Sequence, residues 1–429
     1  MPDALSHLLS LARGVHDPAV APGGRRGIAS VCSAHPLVLE AALGRAARDG
    51  GWVLIEATCN QVNQEGGYTG MTPVDFRDLV WSIAGQVGCP RERIILGGDH
   101  LGPNPWRHLP ADEAMACAGA MIEAYAAAGF VKLHLDASMG CAGEPSALAD
   151  EIVAERAAAL AARAEAVAPG QAVYIVGTEV PVPGGALEAL DHLAPTAPQA
   201  ARQTAGVTHA VFARVLSEDV WRRVLALVVQ PGVEFGAEDV VFYHPEKAVG
   251  LIGALDDLPG LAFEAHSTDY QTVAGLRRLV EDGFAILKVG PALTFAMREA
   301  LYGLDAIADV LAPGEKRLRA VMEAEMAADP SYWQAHYDAA RAPFLRHYSY
   351  SDRIRYYWAR PAARAAIEAL FVRLAETGLP DPLLSQFLPR LYERVRLGHI
   401  PRHARSMVLV AIADVLDDYG QACVPEGAS

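Results

Sequence analysis

Short apolar segments recur along the chain, and each is followed by a longer stretch rich in Ala and Leu. The segments are dominated by Val, Ile and Leu, as in the buried strands of a parallel sheet. The stretches between them, such as PLVLEAALGRAARDG, have the composition and the terminal glycine of helices. Eight such units predict an α/β fold, a (β/α)8 TIM barrel, whereas a doubly wound sheet would usually have fewer strands. The predicted strands cover residues 27–34, 52–58, 93–100, 131–138, 172–179, 223–232, 261–268 and 284–292.

The strand–helix alternation stops near residue 311. The remaining residues have helical or irregular patterns without further strand signals. We therefore predict a barrel domain over residues 1–311 and a helical C-terminal extension over residues 312–429.

Composition limits the class of protein. The 429 residues include 36 basic and 51 acidic side chains, and this net charge of −15 argues against a nucleic-acid-binding protein. No apolar run approaches the roughly 18 residues of a membrane span, and the N-terminus lacks the pattern of a secretory signal. The six cysteines are widely spaced and form no CxxC motif, which is typical of reduced thiols. These features predict a cytoplasmic enzyme.

Polar residues end nearly every predicted strand at its carboxyl side. Barrel enzymes carry their active site on that face, so these residues are the candidates for chemistry. They are His35, Glu56, Asn60, Asp99, His100, His134, Asp136, Glu179, Gln230, Glu234, His266 and Lys288.

Two histidines and two carboxylates among them suggest a metal site. The segment LGGDHLGP places Asp99 beside His100, FEAHSTDYQ contains His266, and Glu179 ends the fifth strand. Imidazole and carboxylate ligands suit zinc, manganese or a similar ion. The alternatives are a helix-capping Asp99 with a surface His100, and a His266 that is hydrogen bonded in the core.

Lys132, His134 and Asp136 alternate along the fourth strand and therefore share one face. Polar groups on a buried strand need partners or a cavity. We expect Lys132 to form an ion pair inside the barrel, and Asp136, nearest the strand end, to contact substrate hydroxyls.

Two loops are candidates for phosphate binding. The loops after the seventh and eighth strands offer Ser267, Thr268, Gly290 and Ala292 as donors, in the region where barrels often bind phosphate. Ordinary turn chemistry explains the same residues. In HYSYSDRIRYYW, Arg353 and Arg355 are candidates for subunit packing or anion binding.

Three enzyme classes lose support because their motifs are absent. The sequence has no GxxxxGK[ST], which excludes a P-loop kinase. It has no GxGxxG that opens a helix after an early strand, which argues against a nicotinamide-dependent Rossmann enzyme. It also has no GxSxG nucleophile elbow.

Long strings of the chain resemble the D-tagatose-1,6-bisphosphate aldolase GatZ/KbaZ-type subunits. The resemblance runs from about residue 27 to beyond residue 400. It rests on SVCSAHPLVLEAAL, LIEATCNQVNQEGGYTGMTP, RIILGGDHLGPN, HLDASMGCAGEP, GTEVPVPGG, VVQPGVEF, EAHSTDYQT, ILKVGPALTFAMREA and SYSDRIRYYW.

The resemblance implies a metal site of the class II aldolase kind. Those enzymes carry Asp–His at the end of strand three and further histidines at the ends of strands six and seven. Asp99–His100 and His266 match two of these positions, but Gln230 stands where the strand-six histidine would be. Glu179 is then the expected third ligand, so the predicted ligands of a divalent ion (Zn, Mn, Co, Ni or Mg) are His100, Glu179 and His266.

The activity implied for the family is either catalytic or accessory. We predict a D-tagatose 6-phosphate 4-epimerase that breaks and re-forms the C3–C4 bond, with Asp99 moving the proton and Asp136 and Glu56 orienting hydroxyls. The alternatives are a non-catalytic subunit of a separate class II aldolase, and a Schiff-base aldolase that uses Lys288. We also expect a homo-oligomer. The predicted substrate contacts are Asn60, His134, Gln230, Ser267, Thr268, Lys288, Gly290 and Arg353.

Overall fold

Eight parallel strands close into a barrel whose strand order follows the chain. The computed structural model describes residues 3–177, 193–313 and 317–425. Each predicted segment overlaps one barrel strand, which confirms the (β/α)8 fold. The barrel strands are β1 (Ile28–Cys32), β2 (Val53–Thr58), β3 (Ile94–Leu101), β4 (Lys132–Leu135), β5 (Val173–Val176), β6 (Val224–Val229), β9 (Ala262–Ala265) and β10 (Phe284–Val289).

A small hairpin interrupts the alternation between β6 and β9. Its strands, β7 (Glu234–Phe235) and β8 (Val240–Val241), pair in antiparallel fashion. These strands were not predicted, because two residues are too few to show a period-2 pattern.

Helices surround the barrel. Glycines in the left-handed region end two of them, Gly50 at φ 64° and Gly88 at φ 75°, as the sequence pattern predicts. The helices of this part are α1 (Ala4–His16), α2 (Pro36–Asp49), α3 (Pro73–Val87), α4 (Ala111–Ala127), α5 (Asp150–Val167), α6 (Pro198–Val215), α7 (Glu218–Trp221), α8 (Pro245–Gly253), α9 (Val273–Glu281) and α10 (Pro291–Leu311).

Helix α1 covers the amino-terminal end of the barrel. It packs against β5, β6, β9 and β10. The His16 ring bonds the Leu261 carbonyl just before β9, at 2.6 Å from Nε2. This end of the barrel is therefore closed, and access is from the carboxyl ends of the strands.

The C-terminal region is helical, as predicted, and returns to the barrel. Its last helix packs against α2, α9, α10 and β1. The Gly27 amide donates to the Cys423 carbonyl at 3.0 Å, so this helix is fastened at the start of the first strand. The division at residue 311 into two domains stays a prediction. The helices here are α11 (Leu318–Ala328), α12 (Ala342–Tyr348), α13 (Pro361–Thr377), α14 (Asp381–Phe387), α15 (Pro389–Arg396) and α16 (Ala404–Cys423).

Within the described ranges, none of the helices combines the length and the apolar character needed to cross a bilayer.

Candidate active site

A cavity of about 140 Å³ opens at the carboxyl ends of the barrel strands. We call it the mouth cavity. Its walls come from strand ends, from the loops that follow them and from the C-terminal region. The predicted site residues that line it are Asn60, Asp99, His100, His266, Ser267, Lys288 and Gly290.

A break at the end of β3 turns two adjacent side chains toward this cavity. Neighbouring residues of a regular strand point to opposite faces. His100 instead has a left-handed φ of 50°, and the β3–β4 pairing shifts between Gly98 and Leu101. Asp99 and His100 consequently both line the mouth cavity. Gly97 makes room beside them, because a Cβ there would lie 2.7 Å from the Glu56 side chain.

Four buried charges of alternating sign fill the barrel beneath the cavity. Lys132 Nζ lies 2.5 Å from Glu56 Oε1 and 2.8 Å from Glu264 Oε2. Lys288 Nζ lies 2.5 Å from Glu56 Oε2 and also contacts Asp99. The expected ion pair of Lys132 inside the barrel is confirmed. We call Glu56, Lys132, Glu264 and Lys288 the charge tetrad.

The tetrad keeps Lys288 protonated. Burial alone would lower the pKa of this amine, but Asp99, Cys32, Glu56 and Glu264 outweigh burial and hold the pKa well above its usual value. A Schiff base requires a neutral amine as the nucleophile. The geometry therefore disfavours the aldolase alternative that uses Lys288.

Three imidazoles meet above the tetrad. The ring centroids of His100, His134 and His266 lie 4.9, 5.1 and 5.2 Å apart. His100 Nδ1 bonds Asp136 at 2.8 Å.

The other two rings are held in the same way. His134 Nδ1 bonds Asp99 at 3.0 Å, and His266 Nε2 bonds Glu264 at 2.9 Å. A carboxylate thus orients every ring of this imidazole cluster, as is usual for histidines that ligate metals.

The electrostatics favour a neutral His134 ring beside an ionised Asp99 carboxylate. Burial, aided by His100 and His266, lowers the pKa of His134, although its bond to Asp99 opposes this. Burial would raise the pKa of Asp99, but His100 and Lys288 hold it well below its usual value. Neutral imidazole and ionised carboxylate are the forms that bind metal.

The residues present fit a divalent ion. One ligand atom from each of Asp99, His134, Glu264 and His266 can be chosen so that all four lie within 4.8 Å of one another. The buried Nε2 atom of His134 has no hydrogen-bond partner, as expected of a nitrogen reserved for a ligand. Imidazole with carboxylate is a donor set that suits Zn²⁺ and its neighbours.

The predicted ligands are only partly brought together. His266 belongs to the four residues whose ligand atoms converge, whereas His100 lies in the imidazole cluster but outside that group. Glu179 lies outside the described residues. Gln230 does not replace the missing histidine, because its Oε1 accepts from the amides of Gly232 and Val233, at 2.7 and 2.9 Å. His134, predicted as a substrate contact, lies in the cluster instead.

The predicted phosphate donors are largely occupied. Asp269 Oδ1 accepts from the Gly290 amide at 3.0 Å and from the Ala292 amide at 2.8 Å. The Thr268 hydroxyl donates to the Lys288 carbonyl at 2.6 Å and contacts Tyr419, away from the cavity lining. Ser267 lines the cavity with a left-handed φ of 53°.

Arg355, rather than Arg353, lines the mouth cavity from the C-terminal region. Arg353 is buried, and its Nε donates to the Tyr332 carbonyl. Arg355 lines the cavity together with Tyr356, whose phenol oxygen accepts from Arg355 Nη2 at 2.9 Å. Although burial opposes it, these two arginines lower the pKa of Tyr356.

A second cavity, of about 550 Å³, adjoins the first. Both are lined by Cys32, Gln61, Tyr68, Gly290 and Arg355. We call this second space the side chamber. It extends the mouth cavity toward α13 and therefore leaves room for a ligand longer than the mouth cavity itself.

Comparison with known proteins agrees with this geometry. The family model described as "D-tagatose-1,6-bisphosphate aldolase subunit GatZ/KbaZ-like" matches residues 19–424. The chain belongs to this GatZ/KbaZ-like family.

Two relatives of this GatZ/KbaZ-like chain are similar over nearly its whole length. The D-tagatose 6-phosphate 4-epimerase of Agrobacterium fabrum is 53% identical over 427 residues, which are 98% of each chain. A crystal structure described as a probable tagatose 6 phosphate kinase from Sinorhizobium meliloti is 56% identical, with a TM-score of 0.87. The match covers 93% of this chain and 100% of that one.

Three residues of this GatZ/KbaZ-like site were not predicted from the sequence: Glu264, Asp269 and Tyr356. Glu264 had a usable signal, because it precedes His266 by two residues within the predicted strand 261–268 and was therefore expected on the same face. Asp269 could have been noticed as an acidic residue inside a loop assigned to phosphate. Tyr356 had no signal beyond its place in an aromatic segment. Arg355 was a candidate for anion binding, but the predicted substrate contact was Arg353.

Proposed function

We propose that this chain is a metal-dependent D-tagatose 6-phosphate 4-epimerase that forms D-fructose 6-phosphate. The similar protein of Agrobacterium fabrum carries that name, and the match covers the whole barrel. The observation that carries the proposal is the imidazole cluster, in which a carboxylate orients each of three histidines at the barrel mouth.

The chemistry explains why such a cluster is needed. The hydrogen on C4 of a ketose is barely acidic, since C4 is not adjacent to the carbonyl. Breaking the C3–C4 bond leaves its electron pair on an enediolate over C2 and C3, and C4 becomes an aldehyde. Rotation of the aldehyde and re-formation of the bond then invert C4. A divalent ion held by the imidazole cluster supplies Lewis-acid stabilisation of the charged oxygens.

Asp99 is the candidate for moving the proton of the C4 hydroxyl. Its carboxylate lines the mouth cavity and contacts both Lys288 and His134. These partners keep it ionised, so it can accept the hydroxyl proton as C3–C4 breaks. The same carboxylate would return the proton to the C4 oxygen when the bond re-forms.

Arg355 is the candidate for holding the substrate phosphate. It lines both the mouth cavity and the side chamber, and its guanidinium group provides a permanent positive charge for a phosphate. A phosphate anchored there would keep the aldehyde fragment in the site while it rotates. Retention of that fragment is what separates an epimerase from an aldolase.

The direct test is turnover of D-tagatose 6-phosphate by the purified chain. We expect the protein to form D-fructose 6-phosphate. This activity should be lost after EDTA treatment and restored when Zn²⁺, Mn²⁺ or Co²⁺ is added. Full turnover by metal-free protein would contradict the metal requirement. No turnover with any metal, together with tight binding to a class II aldolase, would favour the accessory alternative.

A matched pair of variants tests the site itself. His134→Ala removes a ring of the imidazole cluster, and we expect elemental analysis to show metal content reduced at least tenfold. His209→Ala removes an exposed histidine on α6 and should retain the metal. Equal metal content in the two variants would overturn the assigned site.

A further inference from the structure

Asp269 fills the position where this barrel would be expected to bind a phosphate. In many barrels the loops after the last two strands and the N-terminus of a helix hold phosphate through backbone amides. Here the corresponding amides of Gly290 and Ala292 donate to Asp269 Oδ1, at 3.0 and 2.8 Å. The helix that follows is α10, of 21 residues, so its N-terminus attracts an anion, and the protein supplies that anion itself.

Asp269 is also part of the mouth cavity. It lines the cavity and is 3% exposed, and it follows His266 by three residues in the same loop. A ligand bound at the imidazole cluster would therefore share this cavity with the Asp269 carboxylate. The helix amides stabilise its charged form, although burial raises its pKa to about 6, so most of it is ionised at neutral pH.

We propose that Asp269 is a specificity-determining residue that excludes ketoses phosphorylated at C1 and selects a free C1 hydroxyl. A phosphate has about −1.5 to −2 charge at neutral pH and would be repelled by the carboxylate already in its place. A hydroxymethyl group is instead a hydrogen-bond donor to that carboxylate. This inference rests on the proposed epimerase function and narrows its substrate class.

A ketose 6-phosphate has one neutral end, as binding beside the Asp269 carboxylate requires. One end is a neutral hydroxymethyl group and the other a phosphate, so the sugar can place its neutral end at Asp269. A ketose 1,6-bisphosphate has a phosphate at both ends, and neither orientation avoids Asp269. The chain should therefore act on the monophosphate, although the description of its family names a 1,6-bisphosphate.

Binding measurements with two substitutions test the inference. Asp269→Ala frees the two amides, and Asp269→Asn removes the charge while it keeps an oxygen that can accept from them. We expect calorimetry on metal-loaded wild type to show D-tagatose 6-phosphate binding at least 100-fold tighter than D-tagatose 1,6-bisphosphate. The Ala variant should narrow this ratio at least tenfold through tighter bisphosphate binding, and the Asn variant should narrow it less. Inorganic phosphate should also bind more tightly to the Ala variant.

The controls separate this inference from the function it rests on. Asp3→Ala removes a comparable aspartate cap from α1, far from the mouth, and should leave the ratio unchanged. Thermal unfolding of every variant shows whether the fold is intact, and the Asn variant replaces the Ala variant if that one unfolds. An unchanged ratio in both variants overturns the role of Asp269 even if epimerisation occurs. A changed ratio would support the role of Asp269 in specificity even if the absence of epimerisation contradicted the proposed function.

Discussion

The charge tetrad makes a sharp prediction about stability. Lys132 is fully buried, lies between two glutamates and is absent from the lining of the mouth cavity, so its loss should act on folding before it acts on chemistry. Lys132→Met is close to the lysine in shape and removes only the charge. It leaves Lys288 to balance three carboxylates, those of Glu56, Glu264 and Asp99.

The distances set the magnitude. Unit charges 2.8 Å apart attract by about 6 kcal/mol at an effective dielectric constant of about 20. Desolvation offsets much of this attraction, and removal of one partner from a buried pair typically destabilises a protein by about 3–5 kcal/mol. We expect Lys132→Met to lower the free energy of unfolding by that amount. Adding Glu264→Gln should return about 1–3 kcal/mol, because the second charge is then no longer unpaired.

Urea unfolding in EDTA checks this, since EDTA keeps metal binding from contributing to stability. The matched control is the same double-variant cycle at Arg341 and Glu238, which lie 2.7 Å apart with side chains that are 55% and 36% exposed. That exposed pair should couple by less than about 1 kcal/mol. A Lys132→Met protein within 1 kcal/mol of wild type, or a buried pair that couples no more than the exposed one, would refute the reasoning.

Three further predictions follow from the site and its surroundings. Arg355→Met should raise KM for D-tagatose 6-phosphate at least tenfold while kcat changes less, with Arg341→Met as the control; equal KM values would remove Arg355 from the phosphate site. Borohydride with substrate should leave the intact mass of the protein unchanged, because Lys288 is protonated, and a reduced adduct on Lys288 would restore the Schiff-base alternative. Burial lowers the pKa of His347 to about 4 against the attraction of Glu323, so the unfolded state takes up a proton first as the pH falls below about 6.5. Stability should thus decline between about pH 6.5 and pH 4 by up to about 3 kcal/mol, and urea unfolding across this range should show a shallower decline for His347→Gln; identical pH profiles would contradict this.

The fold could be predicted because each barrel strand is buried on both sides. Burial on both sides requires continuous apolar runs such as those at β6 and β10, and such runs are visible in the sequence. The β7–β8 hairpin left no comparable signal. Asp99, His100 and His266 could be predicted because barrel active sites lie at the carboxyl ends of the strands, and all parallel strands present those ends to one rim.

The pairing of these residues was beyond the sequence. His134 lies on β4 and Asp136 directly after it, and each bonds a residue at the end of β3. Which carboxylate orients which ring depends on the left-handed turn at His100. A positive φ is uncommon at any residue other than glycine, so the sequence did not predict it at His100. The sequence also did not show that Arg355, and not Arg353, lines the cavity. The reason is similar, because Asp352 has a φ of 43° and a 3₁₀ turn over Arg353–Tyr357 follows it. In such a turn, residues two apart point in different directions.

The C-terminal region helps to build the site, and this follows from its contacts with the β9 loop. The Tyr419 hydroxyl on α16 donates to the Thr268 carbonyl at 2.8 Å, directly before Asp269. The Thr268 hydroxyl in turn bonds the Lys288 carbonyl, two residues before Gly290. Tyr419 therefore helps to hold in place both the loop that carries Asp269 and the segment that carries the Gly290 amide. Arg355 from the same region adds positive charge to the cavity. Because a barrel cut at residue 311 would lack Tyr419 and Arg355, it would lose the support for Asp269 together with the candidate phosphate ligand.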